Sequence, residues 1–266
     1  MAVTSPRPGT ALLSGRAALV TGGSRGIGAE IARTLGRHGA AVAVNYHSNQ
    51  AAAEAVVADV TASGSRAVAL RGDATDDAGV AALVTAATAE LGDIDVLVCN
   101  AVGDTTGMNR LDGSLLDSGD AVRRRVDQQL TATLAACRQV VPGMRRRGGG
   151  SIVLIGASLT RQSHVMAQLA EIGVAKAAQD ALARYLAAEL GADGIRVNVV
   201  APGMVPTDAN AGAHRPAVLD RIAAMTPLGR VSTTRDVADT VLALASDLTG
   251  QMTGAVLALD GGLTMA

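Results

Sequence analysis

Short apolar runs alternate with alanine-rich stretches along almost the whole chain. Residues 17–20, 41–45, 67–70, 94–99, 151–155, 195–200 and 256–259 are predominantly apolar or β-branched, on both sides of the pleat rather than on one. That is the signature of strands covered on both sides of the pleat. The gaps fit helices over 26–38, 50–63, 76–91, 119–146, 168–190 and 234–246. Thr233-Thr234-Arg235-Asp236 has the form of a capping box, and Gly39, Gly64, Gly92 and Gly191 stand where last turns end. Seven strands in βα alternation predict an α/β fold: one doubly wound, seven-stranded parallel sheet with helices on both faces. The longest irregular stretches, 101–118, 157–167 and 202–215, each follow a strand. In an open α/β sheet such loops, beyond the carboxyl ends of the strands, wall the ligand crevice.

No repeat or interdomain linker interrupts this order, so residues 15–266 read as a single domain. Residues 1–14, flavoured with Pro, Ser and Gly and lacking a signal-like cationic and apolar pattern, read as a flexible lead-in to a cytoplasmic protein. A formal charge of −1 over 266 residues argues against a nucleic-acid partner. No run of roughly 18 apolar residues suggests a membrane span. The two cysteines, Cys99 and Cys137, form no disulfide framework or metal-ligand spacing and read as small buried hydrophobes. One bias sharpens the rest: Lys176 is the only lysine among 23 basic residues, and Tyr46 and Tyr185 are the only aromatic residues.

Thr21-Gly22-Gly23-Ser24-Arg25-Gly26-Ile27-Gly28 joins the first strand to the first helix. Glycines at 22, 26 and 28 permit a tight turn, let backbone N–H groups approach a pyrophosphate and let the helix pack close to the sheet. This is a Rossmann-type signal. In this spacing it resembles the short-chain dehydrogenase/reductase family, and so do Gly72-Asp73-Ala74-Thr75, Cys99-Asn100-Ala101-Val102, residues 195–203 ending in Ala201-Pro202-Gly203, Pro227-Leu228-Gly229-Arg230 and Asp260-Gly261-Gly262. Within the family the chain is similar to divergent enoyl-acyl-carrier-protein reductases and to aromatic-polyketide-tailoring reductases. The resemblance implies a nicotinamide dinucleotide held by Gly22, Ser24, Arg25, Gly26, Ile27, Gly28, Asp73, Ala74, Asn100, Ala101, Lys176, Pro202, Gly203, Val205 and Thr207. The second strand ends without the acidic residue that would bond a free ribose 2′-hydroxyl. Arg25 and the segment Asn45, Tyr46, His47, Ser48 offer a cation and donors instead, which suits the 2′-phosphate of NADP(H).

In the family a tyrosine four residues before a lysine protonates the substrate oxygen, a serine orients it, and an asparagine anchors a relay water. Here Lys176 matches the lysine, but Ile172 stands four residues before it and Leu169 seven before, so neither register supplies a phenol. Gln129 takes the asparagine place. Strand register gives Ala157 the serine place, while a one-residue shift gives it to Ser158. Tyr185 lies roughly 13 Å along the helix from Lys176 and reads as a packing or subunit residue, whereas Tyr46 reads as bordering the nucleotide. His164, in a loop expected to face substrate, is the candidate acid. Glu171 falls off the lysine face and reads as solvated.

Hydride added to a simple ketone leaves an alkoxide whose conjugate acid has a pKa of roughly 15.7. Hydride added to a quinone or phenol-conjugated carbonyl leaves an anion of phenolic character, near ~10. The missing phenol therefore points to NADPH-dependent reduction of a polycyclic aromatic ketone or quinone, of the polyketide or antibiotic tailoring kind. Val102, Leu159, Val165, Met166, Ile172, Met204 and Val205 would line the apolar pocket. An enoyl-thioester reductase, a catalytically silent nucleotide-binding homologue and a redox-neutral enzyme on the same scaffold stay open. The family resemblance implies a homodimer or homotetramer built on the helices at 119–146 and 168–190.

Overall fold

The computed structural model describes residues 11–101, 114–162, 167–207 and 215–265. Its strands are β1 (Ala17–Val20), β2 (Ala41–Tyr46), β3 (Ala67–Arg71), β4 (Val96–Cys99), β5 (Gly150–Ile155), β6 (Ile195–Pro202) and β7 (Val256–Leu259). Every pairing is parallel, in the order β3-β2-β1-β4-β5-β6-β7. The order reverses between β1 and β4, which opens a crevice beyond the carboxyl ends of these two strands.

Strand periodicity divides the core. Ala18 and Val20 of β1, Val42 and Val44 of β2, and Val153 and Ile155 of β5 face one layer, with residues of α1 (Gly26–Arg37), α2 (Gln50–Ala62) and α7 (Thr234–Ala245). Their neighbours Ala17, Leu19, Ala43, Ile152 and Leu154 face the other, with α3 (Asp77–Leu91), α4 (Gly119–Arg147) and α5 (Ala170–Leu190). Successive residues point to opposite faces, so a strand apolar at every position fills both layers.

Helix ends follow local chemistry. Asp76 caps α3 through the Gly79 N–H, and Thr233 with Asp236 completes the capping box of α7. Gly39, Gly64 and Gly92 take positive φ at last turns, but Gly191 does not: the chain continues as a 3-10 turn and reverses at Gly194, φ 72°.

Two expectations need correction. Residues 11–14 are not a loose lead-in, because Leu13 is fully buried in the α1 layer and its N–H donates to His38 O at 2.8 Å. Residues 215–225 form a helix, α6 (Arg215–Met225), that no periodic pattern announced. No helix among the described residues is long and apolar enough to cross a membrane.

Leu13→Ala should lower unfolding free energy by about 2–5 kcal/mol, as for other fully buried leucines, measured by urea denaturation. A loss well under ~1 kcal/mol would show that this segment contributes no core.

Candidate active site

The turn between β1 and α1 is held from beneath by side chains. Thr21 Oγ1 donates to Val98 O and accepts from the N–H groups of Asn100 and Ala101, both at 3.0 Å. Asn100 Nδ2 donates to the carbonyls of Thr21 and Gly22, and Asn45 Oδ1 accepts from the Gly22 N–H. Gly22 sits at φ 61°. A β-carbon at Gly28 would lie 2.3 Å from Gly22 O and 2.5 Å from Asn100 Nδ2, so only glycine lets the helix start this close. Arg25, the N-cap of α1, makes no side-chain cap and no acid occupies the first turn. The first N–H groups of α1 thus remain available to an anion.

Asn45 departs from its expected part. It is 2% exposed, and its Nδ2 also donates to Gly72 O at 3.0 Å, so it braces the turn from inside instead of offering donors at the surface. Tyr46 likewise packs in the core, 7% exposed. His47 and Ser48 are exposed beyond β2, as is Arg25. Arg71, at the end of β3, donates to His47 O and adds a guanidinium to this corner that the sequence did not single out. Asp73 is engaged by Thr75, whose hydroxyl and N–H donate to its Oδ1 and hold its pKa below the usual carboxylate value.

Lys176 is buried. Its Nζ donates to Ile155 O at 2.7 Å, the last carbonyl of β5, and to Gln179 Oε1 at 3.1 Å. Burial is the main cause that lowers its pKa to about 8; Asp180 opposes this, and Arg125 adds to it. The folded chain therefore holds this proton less tightly than an unfolded chain does. The cost in stability is full below pH about 8 and fades as pH rises toward the ordinary value of 10.5.

Around Lys176 the expected set is only partly assembled. Gln129 is buried and lines a cavity of about 10 Å³ with Thr75, Ala101, Arg125, Gln128 and Ala132, room for a single water. Ile172 is half-buried one turn before Lys176. Ala157 is partly open, whereas Ser158 is 1% exposed with its Oγ toward Gly203, so the hydroxyl does not face an open crevice. Glu171, expected in solvent, is 8% exposed. His164 and the proposed lining residues Val102, Val165 and Met166 lie outside the described residues, while Leu159, Met204 and Val205 lie within them. Pro202 ends β6, with Gly203 and Thr207 beyond it at the same end of the sheet, and the β-carbon of a residue at 26 would touch Thr207. Cys99 and Cys137 are buried free thiols whose pKa values burial raises.

Two residues of this neighbourhood were missed. Arg125 is 8% exposed and stands one turn before Gln129 on α4; Asp180, 7% exposed, stands one turn after Lys176 on α5. Both sat in the i, i+4 spacing of positions already singled out, and that signal would have found them.

A glycine-turned doubly wound sheet with one buried ammonium at the crevice defines a dinucleotide-dependent oxidoreductase. The chain belongs to the short-chain dehydrogenase/reductase family. The family model described as enoyl-(acyl carrier protein) reductase matches residues 22–264. Cyclohexanol dehydrogenase of Rhodococcus sp. (strain TK6) is 34% identical over 263 residues, covering 95% of this chain and 97% of the relative. Cis-4-hydroxycyclohexanecarboxylate dehydrogenase of Sinomonas cyclohexanicum is 37% identical over 251 residues, covering 94% and 96%. The solved 7 alpha-hydroxysteroid dehydrogenase, complexed with NADH and 7-oxo glycochenodeoxycholic acid, superposes with a TM-score of 0.86 at 32% identity, over 97% of this chain and 98% of that one. The uncapped helix start and the glycine approach fit the pyrophosphate of the family's NAD(P)(H).

Asn45→Ala should cost about 1–3 kcal/mol of stability, the price of stranding buried groups, and weaken NADPH and NADH binding alike. Fluorescence titration with both nucleotides checks this; a selective loss of NADPH would mean that Asn45 reads the 2′-phosphate after all.

Proposed function

We propose that this chain is an NADPH-dependent reductase of a ring carbonyl, its preferred substrate a polycyclic aromatic ketone or quinone of the secondary-metabolite tailoring kind. The observation that carries this reading is the pairing of Ile172 with Lys176: the helix turn that faces substrate in the family carries an ammonium and no phenol. When bound, the nicotinamide supplies the hydride.

The side chains then have a reduced task. Ile172 contributes apolar surface and no proton. Lys176 contributes a positive charge, with a pKa near 8 set mainly by burial. That ammonium is a stronger acid than a phenol near ~10, so an anion of phenolic character beside it is stabilised and its protonation runs downhill. Gln129 brings an amide to the wall of a cavity with room for one water. His164 stays a candidate donor. The printed activities of the relatives, on cyclohexanol, a hydroxycyclohexane acid and a steroid, share a ring-borne oxygen on an apolar frame, which supports a ring substrate here.

The preference for NADPH rests on the exposed Arg25, His47 and Ser48 and on Arg71 beside His47, at a strand end with no acid. Leu134 of α4 and Val174 and Tyr185 of α5 are exposed, Tyr185 at 76%, which supports a homodimer or homotetramer through these helices. An enoyl-thioester reductase is the second reading, favoured by the description of the matching family model. Its enolate is a more basic product and fits the missing phenol less well.

Following NADPH absorbance with a panel of quinones and aromatic ketones should show oxidation above background, with NADPH bound at least about tenfold more tightly than NADH. No turnover across the panel, together with turnover of a crotonyl thioester, would transfer the assignment to the second reading. The rate should fall as pH rises through about 8, where Lys176 loses its charge. A rate flat to pH 10 would remove the ammonium from the chemistry.

A further inference from the structure

The ammonium of Lys176 is held by two acceptors of different kinds. One is the main-chain carbonyl of Ile155 at the end of β5, and the other is Oε1 of Gln179, one turn further along α5. The i, i+3 spacing puts both side chains on one helix face, and they are 8% and 0% exposed. Two of the three ammonium hydrogens are thereby placed, and one remains. The amide bonds in one sense only, because turned round it would set its N–H groups against those of Lys176. Its Nε2 then meets no acceptor, one of three such buried side-chain atoms among the described residues. Burying an unmet donor is unfavourable, and an aliphatic side chain at this place would avoid it. The bond from the amide oxygen to a charge is what offsets it.

Among the described residues no other side chain bonds Lys176. Asp180, at i+4 on the same helix, acts on the ammonium through space, while its Oδ2 accepts from Thr160 Oγ1 at 3.1 Å. Arg125 of α4 works against the positive charge, and Cys99 of β4 is a buried thiol. We propose that Gln179 is a positioning residue: its amide oxygen keeps Lys176 protonated and fixed beside the end of β5 without cancelling its charge, so that the remaining N–H and the net positive charge act on an anion in the crevice. A carboxylate at 179 would bind the ammonium more tightly but neutralise it. An aliphatic side chain would leave the ammonium with one carbonyl and push it toward its neutral form. The role in turnover rests on the reductase reading; the hold on the ammonium does not.

Lys176 is the only lysine, so the full chain grown with 13C-labelled lysine gives a single ε-carbon signal whose pH titration reads this one group. Its midpoint, set near 8 mainly by burial, should fall by about one pH unit in Gln179→Leu, the loss of one hydrogen bond to a charged group. Gln179→Glu should raise it. A midpoint unmoved by Gln179→Leu would overturn the proposal. Should that variant fail to fold, the wild type decides: the side-chain carbonyl carbon of Gln179 should shift with the lysine midpoint, and no shift through that pH range would overturn it. In quinone reduction with NADPH, the alkaline fall in rate should move down with the lysine midpoint of Gln179→Leu. Gln179→Glu should be about tenfold slower than wild type at pH 7, and a rate equal to wild type would overturn the requirement for a neutral acceptor. If the lysine midpoint moves as stated while wild type reduces no quinone, the hold on the ammonium stands and the reductase reading falls.

Discussion

The bond from Lys176 Nζ to Ile155 O sets the character of the site. It couples α5 to the last carbonyl of β5, at the strand end where the chain turns into the crevice, and it holds the ammonium in a place where water cannot solvate it. A charge so placed favours its own neutral form, and the structure yields part of its stability to keep it there. Such a group is worth retaining only if something negative compensates it some of the time. Asp180, one turn further along the helix and bonded by Thr160, offsets only part of that cost. The remaining compensation is left to whatever enters the crevice.

The same logic explains why the dinucleotide turn is braced by neutral side chains. Thr21, Asn45 and Asn100 satisfy the carbonyls and one N–H of the β1–α1 turn without adding charge. A carboxylate at Asn45 could still accept from the Gly22 N–H, but one at Thr21 or Asn100 could not donate to the carbonyls bonded there, and at any of these places it would set a negative field against an incoming pyrophosphate. Amides and a hydroxyl fix the geometry and leave the positive end of α1 unopposed. The oxidoreductase frame and its electrostatics are thus separable, the first made by glycine approach and the second by what the bracing residues lack.

The sheet was legible because the strands are mostly apolar on both sides of the pleat, and all seven were found within one or two residues of their observed ends. The glycine turn was legible for a similar reason, since its spacing repeats a backbone requirement rather than a side-chain preference. What sequence could not tell was direction. Asn45 ends a strand and looks like a donor at the rim, yet pairing with β3 turns its amide inward to Gly72 O. Ser158 and Ala157 differ by one residue, and the 3-10 turn alone decides which of them is enclosed. Helix α6 escaped because its apolar residues make no strong face, and Leu13 because one buried residue in a polar segment carries no period.

The chemistry available to such a site narrows by elimination. Without a phenol on the lysine face, any product anion must either carry its charge well or find a proton elsewhere. Ile172 makes the wall beside Lys176 apolar, which lowers the local dielectric and lengthens the reach of the ammonium. A delocalised anion gains from that arrangement, because its spread charge needs a field more than a single close donor. A localised alkoxide gains less, since it needs a proton at one atom in the moment of hydride addition. On the function we propose, the replacement weakens the general carbonyl reductase and favours substrates that share their charge across an aromatic frame, and the residue that marks the loss is the same one that defines what is kept.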